Sequence, residues 1–336
     1  MHGGPEVSED RVRDARKRCP GGYVDVTMLL ALGMILIFGL AMIYSTSSYR
    51  AYDLYGDQMY FFKRQALYML LAILAMYIVS RYDYRRLLRL SAVILLSSLV
   101  LQVVVLIIGT ASHGSARWIY IGPIGFQPSE ITKVAIIVFA SYVIYLTPRM
   151  LDRFSGFLKV AVYCIVPIGL VLIENMSTAI VLILITGGIC FVASRNKKYY
   201  IVVIVAAVAA LGLFVLFGDA FRMQRIEIWR NVETHPKGFQ ILQGLYAIAS
   251  GGLFGTGLGE SMQKLGFIPE SYNDMIFSIV CEELGLCGAI MVVILFILLL
   301  WRIFTVAINA PDLFGALLCV GVLVHIAVQV IINIAV

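Results

Sequence analysis

The residues best suited to chemistry are ionisable groups set in an otherwise apolar sequence. Glu130 and Lys133 stand three apart in GFQPSEITK, so on a helix they share one face and can pair. Ionisable groups at membrane depth turn inward or pair, and by default they mark functional sites. Two uses fit them: a substrate site, or an interfacial ion pair that pins a helix end. Pro128 followed by Ser129 suits a helix start in either case. Asp274, in YNDMIFSIVCEELG, stands where a long apolar run begins. A carboxylate near arginines at a helix N-terminus stays ionised and can accept a proton. The plainer role at that position is helix capping by Asn273 or Asp274. Glu282 and Glu283 lie about two turns further on. They cannot both face lipid, and each needs a polar partner.

Two glycine-rich stretches add candidates. In GSARWIYIGPIGFQPSE, Gly114, Gly122, Gly125 and Pro123 make a sharply turned loop that holds Arg117 and Trp118. A tryptophan there serves as an interfacial anchor, and the arginine beside it suits a headgroup phosphate. The stretch GFQILQGLYAIASGGLFGTGLG, residues 238–259, carries seven glycines. They allow tight turns and close approach to a ligand. Its Gly-x-Gly-x-Gly is not a dinucleotide loop, because no strand precedes it and no βαβ unit follows. Residues 239–250 space their apolar positions as a helix does. The six cysteines lack zinc-ligand or redox spacing, and all but Cys19 fall in apolar stretches, where they serve as small hydrophobes.

These groups must be held by membrane-spanning helices. The 336 residues are 61% hydrophobic and only 14% charged, where a soluble domain carries about a quarter charged residues. Lipid is therefore the solvent for most of the chain. The net charge of +6 reports topology and membrane contact, and no nucleic-acid partner is expected. A span needs about 20 apolar residues. The candidates are 24–44, 65–80, 90–110, 131–146, 160–173, 176–194, 199–217, 275–300 and 314–335. The fifth reads as short. An all-α polytopic bundle of about nine transmembrane helices is thus expected over 23–336, after a charged tail at 1–22 with no cleavable signal peptide. Basic residues before the first span and after the second, fourth and sixth put the N-terminus on the cytoplasmic side. That leaves 45–64, 111–130 and 218–274 as extracytoplasmic loops. The last, before the eighth span, is long and carries Arg222, Arg225 and Arg230 among its charges, and long loops usually have a function.

Four stretches taken together are similar to the SEDS proteins (shape, elongation, division and sporulation), the RodA/FtsW/SpoVE type. They are GSARWIYIGPIGFQPSEITK, GFQILQGLYAIASGGLFGTGLG, LGFIPES and YNDMIFSIVCEELG, in the right order and topology, with YGDQMYFFKRQ at 55–65 as a further likeness. The resemblance covers the chain from about residue 24. It implies a peptidoglycan glycosyltransferase at the outer face of the bacterial cytoplasmic membrane. Such a protein polymerises lipid II, a disaccharide-peptide on undecaprenyl pyrophosphate, beside a class B penicillin-binding protein. The family's essential acidic residue matches Asp274, its outer-loop tryptophan matches Trp118, and its Pro-Ser-Glu-x-x-Lys matches Pro128, Ser129, Glu130 and Lys133.

The resemblance implies that Asp274 takes the proton of the acceptor hydroxyl. Positive charge on the departing pyrophosphate would come from Arg117, Lys133, Arg222, Lys264 or a divalent cation of the magnesium or manganese type. One displacement on an α-linked pyrophosphate inverts the anomeric centre. The chain departs from the family twice. Where members carry a Gln-Pro-Asp-Leu-Gly-Thr-like turn, it reads Ile173, Glu174, Asn175, Met176, Ser177, Thr178. Members also carry a tenth span, and this sequence reads as lacking it. Two other functions compete: a flippase for lipid-linked precursors, and a non-catalytic scaffold for a penicillin-binding protein. Transport would want polar residues through the bundle, whereas these ionisable groups concentrate toward the outer face.

Overall fold

The computed structural model describes residues 24–112, 115–121, 124–198, 200, 231–233, 238–268 and 271–335. The N-terminal tail, the seventh candidate span apart from Tyr200, and Arg222 lie outside the described residues. Among the described residues, eight helices are long and apolar enough to cross a membrane. They are α1 (Val26–Tyr55), α2 (Tyr60–Ser80), α3 (Arg86–Ile108), α4 (Pro128–Leu146), α5 (Phe154–Glu174), α6 (Met176–Ala193), α8 (Ile276–Ile308) and α9 (Leu313–Ala335), with a shorter α7 (Phe239–Gly251) preceding α8.

The first expected loop does not form. Residues 45–55 read as loop because they are polar, yet α1 continues through them for 30 residues in all. At 1.5 Å per residue that is about 45 Å, longer than the hydrocarbon core of about 30 Å, so one end of α1 stands clear of it. Two of the hydroxyls are absorbed locally: Thr46 Oγ1 donates to the Met42 carbonyl at 2.8 Å and Ser48 Oγ to the Ser45 carbonyl at 3.2 Å. Gly56 ends the helix in the left-handed region at φ 69°, its N–H bonded to Tyr52 O at 2.9 Å. Only Gly56–Met59 separates α1 from α2.

The fifth span is not short either. Its apolar run begins after Lys159, but α5 starts at Phe154 and runs 21 residues, and the 3₁₀ turn Pro148–Asp152 leads into it. Among the described residues, the second loop supplies the one sheet in an otherwise helical fold. It forms a three-stranded antiparallel meander of β1 (Thr110–Ser112), β2 (Ser115–Ile121) and β3 (Ile124–Phe126). Trp118 pairs across from Thr110, and Ile119 from Phe126.

The largest core cluster joins α3 to α6 with α9 and includes Ile136, Ile144, Leu182, Ile185 and Leu317. A second joins Met42, Ala247, Ile268, Met275 and Ile279, tying α1 and α7 to the start of α8. At the bundle end opposite the sheet, ion pairs close the structure. Asp25 caps α1 by accepting from Met28 N at 2.9 Å and pairs with Arg302 at the far end of α8 at 2.5 Å. The Arg302 guanidinium and the Met28 N–H together hold the Asp25 carboxyl below its ordinary value. Asp312 accepts from Tyr84 Oη at 2.7 Å and Arg85 Nε at 3.1 Å. Burial and that carboxylate push the Tyr84 phenol upward.

Of the described cysteines, Cys164, Cys190 and Cys281 are buried as expected, Cys319 is half-buried, and Cys287 is exposed on α8.

Candidate active site

Asp274 is exposed immediately before α8. The N-cap of that helix is Met275, and no side chain caps it, so neither Asn273 nor Asp274 plays the capping role. The approach to Asp274 is fixed from behind, since Tyr272 stacks on Phe61 of α2 at 4.8 Å and 26°. Just beyond it, Ile276 and Phe277 turn into a cavity of about 530 Å³. The walls of this cavity come from α1, α4, α8 and α9 and are mostly apolar, with Phe38, Met42, Val280 and Leu295 among them.

Glu130 and Lys133 line the same cavity. They form the pair that their spacing suggests, with Lys133 Nζ 2.8 Å from Glu130 Oε2. The two ends differ in exposure. The Lys133 side chain is 3% exposed and that of Glu130 is 55% exposed. Both thus border the cavity, the ammonium nearly closed off and the carboxylate the more open of the two.

The start of α4 is held by a buried network that the sequence did not indicate. Gln102 of α3 is fully buried, as is Thr132. The amide orientation that satisfies both ends donates to Glu174 Oε1 at 2.7 Å and accepts from Ser129 N at 3.1 Å and Thr132 Oγ1 at 2.9 Å. Arg117 of β2 donates through Nε to the Glu174 carbonyl at 2.9 Å, which ties the sheet to the end of α5. Trp118 stacks on Tyr120 of the same strand at 6.4 Å. Ser129 is buried, and its hydroxyl has no hydrogen-bond partner among the described residues. Asn175 caps α6 by accepting from Ser177 N and Thr178 N at 3.0 and 3.3 Å, and the acid of this turn is Glu174 beside it.

The glycine stretch packs on α8. That helix breaks at Gly285, where φ is 66° and ψ −167°. A break at lipid depth must satisfy its own backbone. Here Thr256 N and Gly257 N donate to the carbonyls of Glu282 and Glu283 at 2.9 and 3.0 Å, and Leu286 N and Cys287 N donate to those of Gly252 and Leu253 at 2.9 and 3.1 Å. A Cβ on Gly251 would stand 1.9 Å from Cys281 O, and one on Gly255 2.1 Å from Glu283 O. The expectation that these glycines admit a ligand is corrected at both positions: what approaches is the α8 backbone.

Both carboxylates before the break find partners. Glu282 accepts from Ser261 Oγ at 2.5 Å and Met262 N at 3.0 Å. Glu283 accepts from Ser45 Oγ at 2.6 Å and Lys264 Nζ at 2.8 Å. Lys264 also borders a hollow with Tyr49 and Phe62, but its ammonium is committed to Glu283 and Ser45, which leaves it poorly placed as a substrate contact. The structure thus brings Glu130 and Lys133 to one cavity whose wall begins two residues past Asp274. It sets Arg117, Ser129 and Lys264 in supporting networks. Sequence reasoning passed over Gln102 and three polar residues of α9 that line the cavity, His325, Gln329 and Asn333. Their four-residue spacing in an apolar helix was the available signal.

Comparison with known proteins places the chain in a family. Residues 26–336 match the FtsW/RodA/SpoVE family, described as cell cycle proteins. A relative from Trichlorobacter lovleyi, named a probable peptidoglycan glycosyltransferase FtsW, is 35% identical over 321 residues, covering 93% of this chain and 83% of its own. Stage V sporulation protein E of Bacillus subtilis is 34% identical, covering 93% and 87%. Among solved structures, one titled as coordinating polymerization and crosslinking in a peptidoglycan synthase complex aligns with a TM-score of 0.77 at 22% identity, covering 93% of this chain and 86% of that one. The rod shape determining protein RodA of Thermus thermophilus aligns at 0.67 and 21% identity, covering 94% and 86%. A family match over nearly the whole chain, supported by relatives at this identity, establishes that the protein belongs to the FtsW/RodA/SpoVE family of integral membrane proteins.

Proposed function

We propose that this protein is a peptidoglycan glycosyltransferase that polymerises lipid II at the outer face of the bacterial cytoplasmic membrane, with its N-terminus cytoplasmic. The observation that carries the reading is the cavity. It joins apolar walls, suited to a prenyl chain, to the buried Lys133 ammonium, and its lining starts two residues beyond an exposed carboxylate. Family membership supplies the class of reaction.

In the proposed step, the acceptor sugar hydroxyl attacks the anomeric carbon of the donor. Asp274 takes the hydroxyl proton as a new C–O bond forms. The bond from the anomeric carbon to the pyrophosphate oxygen breaks, and its electron pair leaves with undecaprenyl pyrophosphate. Lys133 stabilises the charge that develops there, and one displacement inverts the centre. Among the described residues, no three His, Cys, Asp or Glu side chains converge to hold a metal. The step as written runs on the protein's own groups, and a divalent cation would add positive charge to the departing pyrophosphate. A class B penicillin-binding protein is the proposed partner.

The test is polymerisation of purified lipid II by the purified chain, with and without such a partner. Glycan strands that vanish in Asp274→Ala support the reading. Normal strand synthesis by Asp274→Ala removes the base, and no strands from the wild type with a partner favour scaffolding or transport.

A further inference from the structure

Three polar side chains on the last helix have no part in the scheme above. His325, Gln329 and Asn333 stand four residues apart in an otherwise apolar α9, so they share one face. That face lines the cavity that holds Lys133. From His325 to Asn333 the seam runs about 12 Å along the helix. None of the three makes a side-chain hydrogen bond among the described residues. Polar groups at lipid depth need partners, and groups that face a cavity take theirs from what enters it.

The guest's chemistry follows from the donors. Two carboxamides, an imidazole and an ammonium, the last paired with the Glu130 carboxylate, offer N–H groups, while the rest of the wall is hydrocarbon. A ligand that matches carries acceptor oxygens joined to an apolar chain. The ammonium favours negative charge, and phosphate oxygens accept from amide, imidazole and ammonium alike. Glu130 shares the cavity lining and is 55% exposed against 3% for Lys133, so an arriving anion takes over Lys133 only as the Glu130 carboxylate gives way to it.

We infer that His325, Gln329 and Asn333, together with Lys133, form the subsite for the pyrophosphate of a polyprenyl-linked sugar, with the first prenyl units against the apolar wall. The substrate class rests on the glycosyltransferase reading, but binding is measured separately from turnover.

The experiment titrates the full chain in nanodiscs with undecaprenyl pyrophosphate and, separately, undecaprenol. The wild type is expected to prefer the pyrophosphate at least about tenfold. His325→Leu and Gln329→Leu should each weaken the pyrophosphate roughly tenfold, the equivalent of one charge-assisted hydrogen bond, and leave undecaprenol unchanged. Leucine suits this apolar helix, and an unshifted melting midpoint verifies folding. Should a leucine variant fail to fold, Gln329→Glu sets a carboxylate against the phosphate and should exclude it while still admitting undecaprenol. Folded variants that keep full affinity, or a wild type with no preference between the two lipids, overturn the subsite. Strand synthesis measured on the same preparations separates the two readings. A wild type that binds selectively through the seam yet makes no strands upholds the subsite and removes the enzymatic reading.

Discussion

Removing Glu283 alone should harm the protein more than removing Glu283 and Lys264 together. The Lys264 and Glu283 side chains are 5% and 0% exposed at 2.8 Å separation, and Ser45 bonds to both. Glu283→Leu would strand the Lys264 ammonium beside Ser45 with no counter-charge. Breaking a buried pair this way costs about 3–5 kcal/mol, while replacing both members by apolar residues of similar size is often neutral or stabilising. The three variants are Glu283→Leu, Lys264→Met and the double, unfolded by detergent titration in mixed micelles. Each single is expected to lose about 3–5 kcal/mol, with the double close to wild type. The pair also anchors the segment that leads to Asp274, so strand synthesis should fall in the singles and recover in part in the double. If the singles are as stable as wild type, or the double loses the sum of the two, the pair is not what holds this segment, and the reasoning fails.

Other expectations follow from single contacts. Asp274→Ala should cut strand synthesis by about 10²–10⁴-fold, the usual worth of a general base, without moving the melting midpoint, because Asp274 is exposed and caps nothing. Gly251→Ala should fail to accumulate as folded protein, since its Cβ would meet Cys281 O at 1.9 Å. Gly259→Ala, with φ +85° but open space, should cost only about 1–2 kcal/mol; equal outcomes for the two glycines would count against the packed break. Asp25, whose carboxyl is lowered by Arg302, contributes stability above its ordinary value of 3.8, and that contribution is lost as pH falls through the lower folded value. Thermal unfolding down an acid series should show the loss in wild type and show it diminished in Arg302→Met.

How far the sequence is legible depends on whether a residue's partner is near it in the chain. Lipid demands long apolar runs, so the spans stand out, and the three-residue spacing of Glu130 and Lys133 sufficed to foresee their pair. Ser45–Tyr55 misled because its polarity reads as loop, when its hydroxyls bond within α1 and to Glu283, which lies 238 residues from Ser45. Lys264 read as a candidate for the pyrophosphate's charge because its own counter-charge, 19 residues on, is reached only when the chain folds back along α8. The sheet was missed because three short strands satisfy one another across turns, with no apolar alternation long enough to register. Gln102 gave no sign at all, since an isolated glutamine in an apolar helix is unremarkable until Glu174 and Ser129 are seen on either side.

The break at Gly285 explains why so much of the glycine stretch is structural. A continuous α8 would point its first turns along the axis set by its long second half, which packs with α1 near Ala31, Leu299 and Ile303. With the helix interrupted, the segment Ile276–Leu284 is free to take its direction from α7, Met42 and Ile268 instead. The four backbone hydrogen bonds across the break stand in for bonds the helix gives up there, as lipid requires of a broken helix. Glu282 and Glu283 sit on the residues whose carbonyls those bonds use, and each carboxylate holds a different part of the 258–268 segment through Ser261 or Lys264. The position of Asp274 is therefore set by packing at the break, about three turns away. Side chains that never meet substrate at this break should govern the rate as strongly as those that line the cavity.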